Sequence, residues 1–278
     1  MLSRHRLIWY FTAAVAATAA AVLLARGRAD APSSATDRDP DAVVEEMLGA
    51  LDADPRVQRE ETRALVVRVA ELAEEGRLDS AEAALALGLL RMNQGDAAGA
   101  EEAMRRAAEQ RPDWGWPHTM LGIVLFGEKR YAEAEACFLR AIEAEPSWSR
   151  PHNDLAILLR TTGRLDEAER HALRAIALEP DNVAGQNNYG NLLVELGRLD
   201  DAEAAYRKAI ALDPDHPAPH YNLACLASLR GRPEAAFGPL RRAVELDDAF
   251  RREALKDPDF DALRDLPEFQ AIVHAGPD

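Results

Sequence analysis

Cysteine is scarce in this 278-residue sequence: there are two, Cys137 and Cys225. Their separation fits no metal-ligand spacing and they form no C-x-x-C pair. A disulfide framework and a redox dithiol are therefore excluded, and both residues are expected to be buried, reduced packing residues. Aromatics make up only 6 %, while alanine dominates an apolar fraction of 47 %. That balance argues against a β-rich core and for closely packed helices. Basic residues are also in deficit, 33 Lys and Arg against 48 Asp and Glu, for a net charge of −15. The first 30 residues carry four arginines and one aspartate, +3, so the remainder carries −18. An acidic body repels phosphate backbones and anionic lipid headgroups, which excludes nucleic acid as a partner and favours basic or mixed-charge ones.

Catalytic punctuation is missing as well. There is no nucleophile elbow, no phosphate loop and no H-E-x-x-H. Acid pairs such as Glu101-Glu102 and Asp200-Asp201 read as helix-start residues that favour the positive end of the dipole. The sequence thus points to no enzyme, no cofactor, no metal and no small-molecule substrate.

One long uncharged run is present. Residues 1–6 form a basic tail, and residues 7–25, LIWYFTAAVAATAAAVLLA, contain no charge. At about 1.5 Å per residue the run spans roughly 28 Å, the thickness of a hydrocarbon core. Trp9 and Tyr10 stand where an aromatic belt is expected, and Arg26 and Arg28 close the far end. The segment reads as a transmembrane helix or a signal peptide. It exceeds the ~7–15 apolar residues of a signal core. Ala29-Asp30-Ala31 offers a cleavage site, but Pro32 follows it. The reading favours an uncleaved single-pass anchor. Arginines at both ends nearly balance, so orientation rests on the short tail staying inside. The rest of the chain then lies in the periplasm or another extracytoplasmic space, with a cytoplasmic face as the alternative. Residues 26–40, rich in small, polar and proline residues, read as a disordered linker.

Beyond the linker the chain repeats itself every 34 residues. Pro112, Pro146, Pro180 and Pro214 form one column. Ala107, Ala141, Ala175, Ala209 and Ala243 form a second, and Ala100, Ala134, Ala168, Ala202 and Ala236 a third. These columns divide 81–250 into five blocks, 81–114, 115–148, 149–182, 183–216 and 217–250. The fourth is the clearest. Asn187 to Leu196 reads as a helix, Gly197 as its left-handed stop, and Asp200 or Asp201 as the cap of a second helix running to Leu212. Pro214 prevents continuation. Residues 41–80 read as N-terminal capping helices: one over 41–51, a second over 56–75, then the turn Gly76-Arg77-Leu78-Asp79. Residues 251–278 read as C-terminal capping helices and a tail, with Phe260, Leu263, Leu266, Phe269 and Ile272 as their apolar spacing.

Within each block the spacing resembles the tetratricopeptide pattern, W-x2-L-G-x2-Y, then A-x3-F, then P. The L-G pair is Leu87-Gly88, Leu121-Gly122, Leu155-Ala156, Tyr189-Gly190 and Leu223-Ala224. The second-helix aromatic is Met104, Phe138, Ala172, Tyr206 and Leu240. Departures are His or Gln for the first Trp, Lys129 for a turn glycine and Asp248 for the last proline. The resemblance implies an all-α fold, a right-handed superhelical solenoid of antiparallel helix pairs, preceded here by the N-terminal membrane helix. One helix pair cannot bury its apolar face alone, whereas stacked pairs share a core.

The resemblance also implies a groove that docks a peptide or helix of another protein. The positions that face it in this family are filled here by Asn153, Asn187, Asn188, Asn191 and Asn222, with Arg150 beside them. Carboxamides donate and accept, so they suit the backbone of an extended peptide. The chaperone-binding subgroup clamps a terminal carboxylate with a Lys-Asn-Asn-Lys-Arg set. Asn191 and Asn222 match its asparagines, Arg252 and Lys256 stand near its last basic places, and Asn187 replaces its first lysine. His118, His152 and His220 share one column, one repeat apart, too far for shared metal ligation, so packing is their expected role. Trp114, Trp116 and Trp148 read as plugs between repeats or as an aromatic ledge. The expected function is a non-enzymatic, membrane-tethered interaction scaffold. The alternative is a permanent assembly subunit of an envelope-biogenesis, secretion or cytochrome-maturation complex.

Overall fold

The computed structural model describes residues 60–274 together with Val43, Val44 and Met47. The anchor segment 7–25, the linker 26–40, most of the helix expected over 41–51 and the tail from 275 lie outside the described residues. Among the described residues there is no strand, and no helix is long and apolar enough to cross a membrane.

The described chain forms two compact units that part between Ser147 and Trp148. In the first, α1 is Glu60–Glu74, α2 Ala81–Gln94, α3 Ala97–Gln110, α4 Gly115–Gly127 and α5 Tyr131–Ala144. Val69, Ala70 and Leu72 of α1 pack with Val43, Val44 and Met47 on one side and with Ala83, Ala86 and Leu90 of α2 on the other. In the second unit, α6 is Ser149–Thr161, α7 Leu165–Leu178, α8 Val183–Glu195, α9 Leu199–Leu212, α10 Pro217–Leu229 and α11 Pro233–Leu246. It closes with α12, Ala249–Ala254, a 3-10 turn over Pro258–Leu263, and α13, Pro267–His274. The C-terminal segment is thus three short pieces, with Phe250, Phe260, Leu263 and Phe269 buried.

The turns explain why the pairs fold back. Gly76, Gly95, Gly163, Gly197 and Gly231 all adopt positive φ. At Gly197 the Gly197 N–H donates to Val194 O at 3.1 Å and the Arg198 N–H to Leu193 O at 2.9 Å, satisfying carbonyls the helix leaves open. Lys129 makes the same turn at φ +62, the one non-glycine residue in that region among those described. Two sequence expectations are corrected at the helix starts. α8 begins at Val183, four residues before Asn187, because Asn182 Oδ1 accepts the Gly185 N–H at 2.8 Å and caps it. Arg198 holds the N-cap place of α9, so Asp200 and Asp201 are first-turn residues acting on the dipole. Glu101 lies past the first turn of α3 and binds Arg130 at 2.6 Å instead.

Within a pair, one large side chain of the second helix rests where the first helix has no Cβ. A Cβ on Gly122 would stand 2.6 Å from Phe138 Cε1, and one on Gly190 would stand 2.7 Å from Tyr206 Cδ1. A Cβ on Gly88 would meet the flexible Cε end of Met104 at 2.6 Å. Phe138, Tyr206 and Met104 are all fully buried. Two outcomes follow. Gly190→Ala is expected to lower stability by about 1–3 kcal/mol despite its gain in helix propensity, because Tyr206 is rigid and hydrogen-bonded. Gly88→Ala is expected to cost much less, since Met104 can turn aside; urea midpoints of the two variants check this order. Lys129→Gly is expected to raise stability by about 0.5–1 kcal/mol, the relief of left-handed strain less the added freedom of the unfolded chain. An unchanged or lower midpoint would refute it.

Candidate functional site

The face to consider is built in the second unit by the first helices of its pairs, α6, α8 and α10. It carries all six residues singled out in the sequence, and the structure sorts them into two groups. Asn187, Asn191 and Asn222 are buried, at 0 %, 2 % and 2 % exposure. Asn222 Nδ2 donates to Asn187 Oδ1 at 2.8 Å, and the Tyr206 hydroxyl donates to Asn191 Oδ1 at 2.7 Å. These three carboxamides are partners for the protein itself. They fasten α10 to α8 and α9 to α8, a role that buried polar groups must have. The partial match to a carboxylate clamp loses both of its asparagines in this way. Arg252 and Lys256 bear on it no better, since α12 ends at Ala254.

Arg150, Asn153 and Asn188 are partly exposed. Asn188 Nδ2 donates to Asn153 Oδ1 at 3.1 Å, the same bond one repeat earlier than the Asn222–Asn187 pair. Arg150 Nε stands 3.6 Å from Asp154 Oδ2, one helical turn on. Asp154 is 8 % exposed, and burial pushes its carboxyl up, against the pull of Arg150. Beside them Arg160 Nη1 meets Glu195 Oε1 at 2.7 Å, with the arginine side chain 9 % exposed. The face between α6 and α8 is therefore polar, with its charges paired.

A small cleft opens between α6, α7 and α8. Ala156, Ile157, Ala172 and Leu192 form its floor, and Asn153, Asn188 and Arg160 its rim. It encloses about 10 Å³, about one water and far below the ~300 Å³ at which small-molecule sites begin.

The α10 end of the face is covered by the chain's own C-terminal segment. The Tyr221 hydroxyl donates to Asp257 Oδ2 at 3.0 Å, and Ser228 Oγ donates to the Asp259 carbonyl at 2.6 Å. Phe260 meets Tyr221 edge-on at 5.6 Å between centroids. Cys225 Sγ and the carboxylates of Asp257 and Asp259 lie within 4.8 Å of one another, all buried. Asp257 caps the 3-10 turn through Oδ1, accepting the Asp259 N–H at 3.0 Å, so the cluster has a structural explanation. The sequence reading has 251–278 as C-terminal caps; the particular partners they meet, some 31 to 36 residues apart in the chain, are what residue type alone does not give.

The remaining sequence candidates have structural partners. His118 Nε2 lies 3.1 Å from the Pro112 carbonyl, and His220 Nε2 2.9 Å from that of Pro214. Gln186 makes the same bond to Pro180 at 3.2 Å. The histidine column thus ties each first helix to the proline turn before it. His152 is the exception, pairing with His171 at 3.0 Å between Nδ1 atoms. Burial, with the nearby charges of His171 and Arg174, pushes His152 down to about 4. Trp114 is buried, with the Arg111 guanidinium 4.6 Å from its ring centroid. Cys225 is buried and Cys137 half-buried, its thiol pushed up to about 11 by burial.

Comparison with known proteins bears on the fold. Tetratricopeptide repeat models match residues 81–113 and, in overlapping stretches, 119–183, 153–217 and 188–251. No curated protein matches the sequence. Among solved structures, a thermophilic TPR protein of Thermus thermophilus is 21 % identical, with a TM-score of 0.57 over 64 % of this chain and 98 % of that one. The pilF protein of Pseudomonas aeruginosa is 18 % identical, with a TM-score of 0.57 over 78 % and 97 %. MamA of Desulfovibrio magneticus RS-1, from its residue 41, is 17 % identical, with a TM-score of 0.52 over 62 % and 97 %. At these identities the structures speak to the fold alone. With the repeat models covering more than half of the sequence, and helix pairs restarting at Ala81, Gly115, Ser149, Val183 and Pro217, the chain belongs to the tetratricopeptide repeat family.

Proposed function

We propose that this protein is a non-enzymatic scaffold, tethered to a membrane by residues 7–25, whose α6–α8 face docks an extended segment of another protein. The observation that carries the reading is the pair Asn153 and Asn188. Their carboxamides are partly exposed and bonded only to each other and, at 3.4 Å, to Asp154. Each has capacity left for a peptide backbone. The neighbouring charges are paired, so the face offers hydrogen bonds rather than a charge trap.

Among the described residues of this unit, the large apolar side chains that are exposed are Leu173 on α7 and Leu229 at the end of α10. A permanent subunit interface would bury a larger apolar surface. That favours a partner that comes and goes over a fixed assembly subunit. The tether reading rests on the uncharged run 7–25, and with it an extracytoplasmic position for the repeats.

Asn153→Ala with Asn188→Ala is expected to weaken partner capture by about tenfold or more, the loss of one or two well-placed hydrogen bonds, with helicity unchanged. Co-purification through a C-terminal tag, quantified against the parent chain, checks it, and equal capture would remove this face. Protease accessibility checks the tether. Full-length, membrane-bound chain, digested once the outer barrier is opened, is expected; a shortened soluble chain would remove the anchor.

A further inference from the structure

Four of the five repeats place a large side chain at one register of the second helix: Met104, Phe138, Tyr206 and Leu240. The third has Ala172 there, and its first helix carries Ala156 where Gly88, Gly122 and Gly190 stand in three of the others. The missing plug leaves the small cleft, a notch whose floor these two alanines share. Next to Ala172, His171 meets His152 of α6, Nδ1 to Nδ1 at 3.0 Å. We propose that this pair is an acid-opened latch: a proton on both rings parts α6 from α7, and the docking face comes apart with them. The inference rests on the reading above, in which Asn153 and Asn188 hold a partner's backbone, since Asn153 follows His152 on α6 and its bond to Asn188 depends on where α6 lies.

A bond between two imidazole nitrogens carries one proton. In the neutral pair one Nδ1 donates and the other accepts. A first added proton goes to an outer nitrogen and leaves the bond in place. A second sets N–H against N–H and two positive charges side by side, with His152 buried away from water. The other histidines of this column respond differently. His118 and His220 face the carbonyls of Pro112 and Pro214. A charged imidazole donates to a carbonyl at least as well as a neutral one. Acid therefore bears on the third repeat and spares the bonds that its neighbours make.

Burial, and then the charges of His171 and Arg174, push His152 down to about 4. Glu167, one turn before His171 on α7, is held by Arg164 at 2.7 Å and has Arg170 at 4.0 Å. Glu169 of α7 is taken by Tyr189 of α8 and by Arg198. On α6 itself Arg150 stands by Asp154, and Arg160 by Glu195 of α8. The folded value of His152 lies below the ordinary 6.5, so the parted helices take up the proton more readily than the closed pair. The latch is whole above pH 6.5, weakens as pH falls, and is lost below about 4.

The test is hydrogen exchange on the full chain in detergent micelles at neutral pH, at about pH 5.5 and at about pH 4, corrected for the intrinsic effect of pH. The opening of α6 and α7, relative to α10 and α11 in the same sample, is expected to rise about tenfold by the middle point and on the order of a hundredfold by the last. His152→Gln puts in the residue that the fourth repeat has in this column, Gln186. It is expected to abolish the acid response. If that variant fails to fold, His171→Ala, which restores the alanine of the first and fourth repeats, takes its place and is expected to shrink the response severalfold. Opening that follows pH equally in all helix pairs, or an acid response unchanged in the folded variant, overturns the latch. A blocked Gly-Ser-Gly-Ser-Gly peptide reads the face through the side-chain amide shifts of Asn153 and Asn188. Shifts present at neutral pH, lost in acid by the parent chain and kept by His152→Gln are expected; shifts that the parent keeps in acid overturn the release. If exchange shows the acid response but the peptide shifts neither amide at any pH, the latch stands and the docking reading fails.

Discussion

The contact between a bare backbone on one helix and one large side chain on the next sets the helix separation in the first, second and fourth repeats. Gly122 under Phe138 and Gly190 under Tyr206 let two helices approach more closely than any Cβ would allow. Once that separation is set, the side chains on the outer edges of the first helix have fixed directions. Asn187 then meets Asn222, and Asn153 meets Asn188. The carboxamide pairs are a consequence of the helix spacing rather than its cause. Tyr206 shows the link most directly: its ring fills the seat over Gly190, and its hydroxyl reaches Asn191, the next residue of α8.

Much of this was legible in the sequence because it is local and periodic. A glycine at the end of a helical run has one physical use, and the five turn glycines do adopt positive φ. The columns of alanine are fully or nearly fully buried, at 0 % for Ala100, Ala134, Ala168, Ala202 and Ala236. The functional face was less legible. Sequence position places Asn187, Asn188 and Asn191 together on one helix, yet only Asn188 is partly exposed. What separates them is which neighbour each meets: Asn222 on α10, Asn153 on α6, or Tyr206 on α9. That depends on contacts 15 or 35 residues away in the chain, which residue type alone does not carry. Cap positions failed for a related reason. At Arg198 a Schellman turn hands the chain directly into α9, leaving no place for an aspartate cap.

The third repeat departs from its neighbours in several linked ways. It has Ala172 for the large side chain and Ala156 for the glycine. His171, next to Ala172, stands where other repeats have Ala103, Cys137, Ala205 or Pro239. His152, whose counterparts bind proline carbonyls, turns to that histidine instead. The stacked rings hold α6 to α7 where the usual plug is missing. Burial keeps His152 neutral through the physiological range, so the pair is a hydrogen-bonded fastener there rather than two like charges. A substitution that opens a notch is thus accompanied by one that keeps the helices together.

Charge is arranged to a different end from the contacts of the face. Acidic residues recur in the first turns of second helices, as at Asp166, Glu167, Asp200 and Asp201. On the α6–α8 face the charges come in pairs, Arg150 with Asp154 and Arg160 with Glu195. Long-range attraction and short-range fit are therefore carried by different residues. The acidic body acts on how often a partner of opposite charge arrives, an effect that salt screens over about 10 Å. In the docking proposed above, the carboxamides act on how long it stays, and salt does little to them. Charge thus brings the partner near, and the partly exposed carboxamides of Asn153 and Asn188 read its backbone.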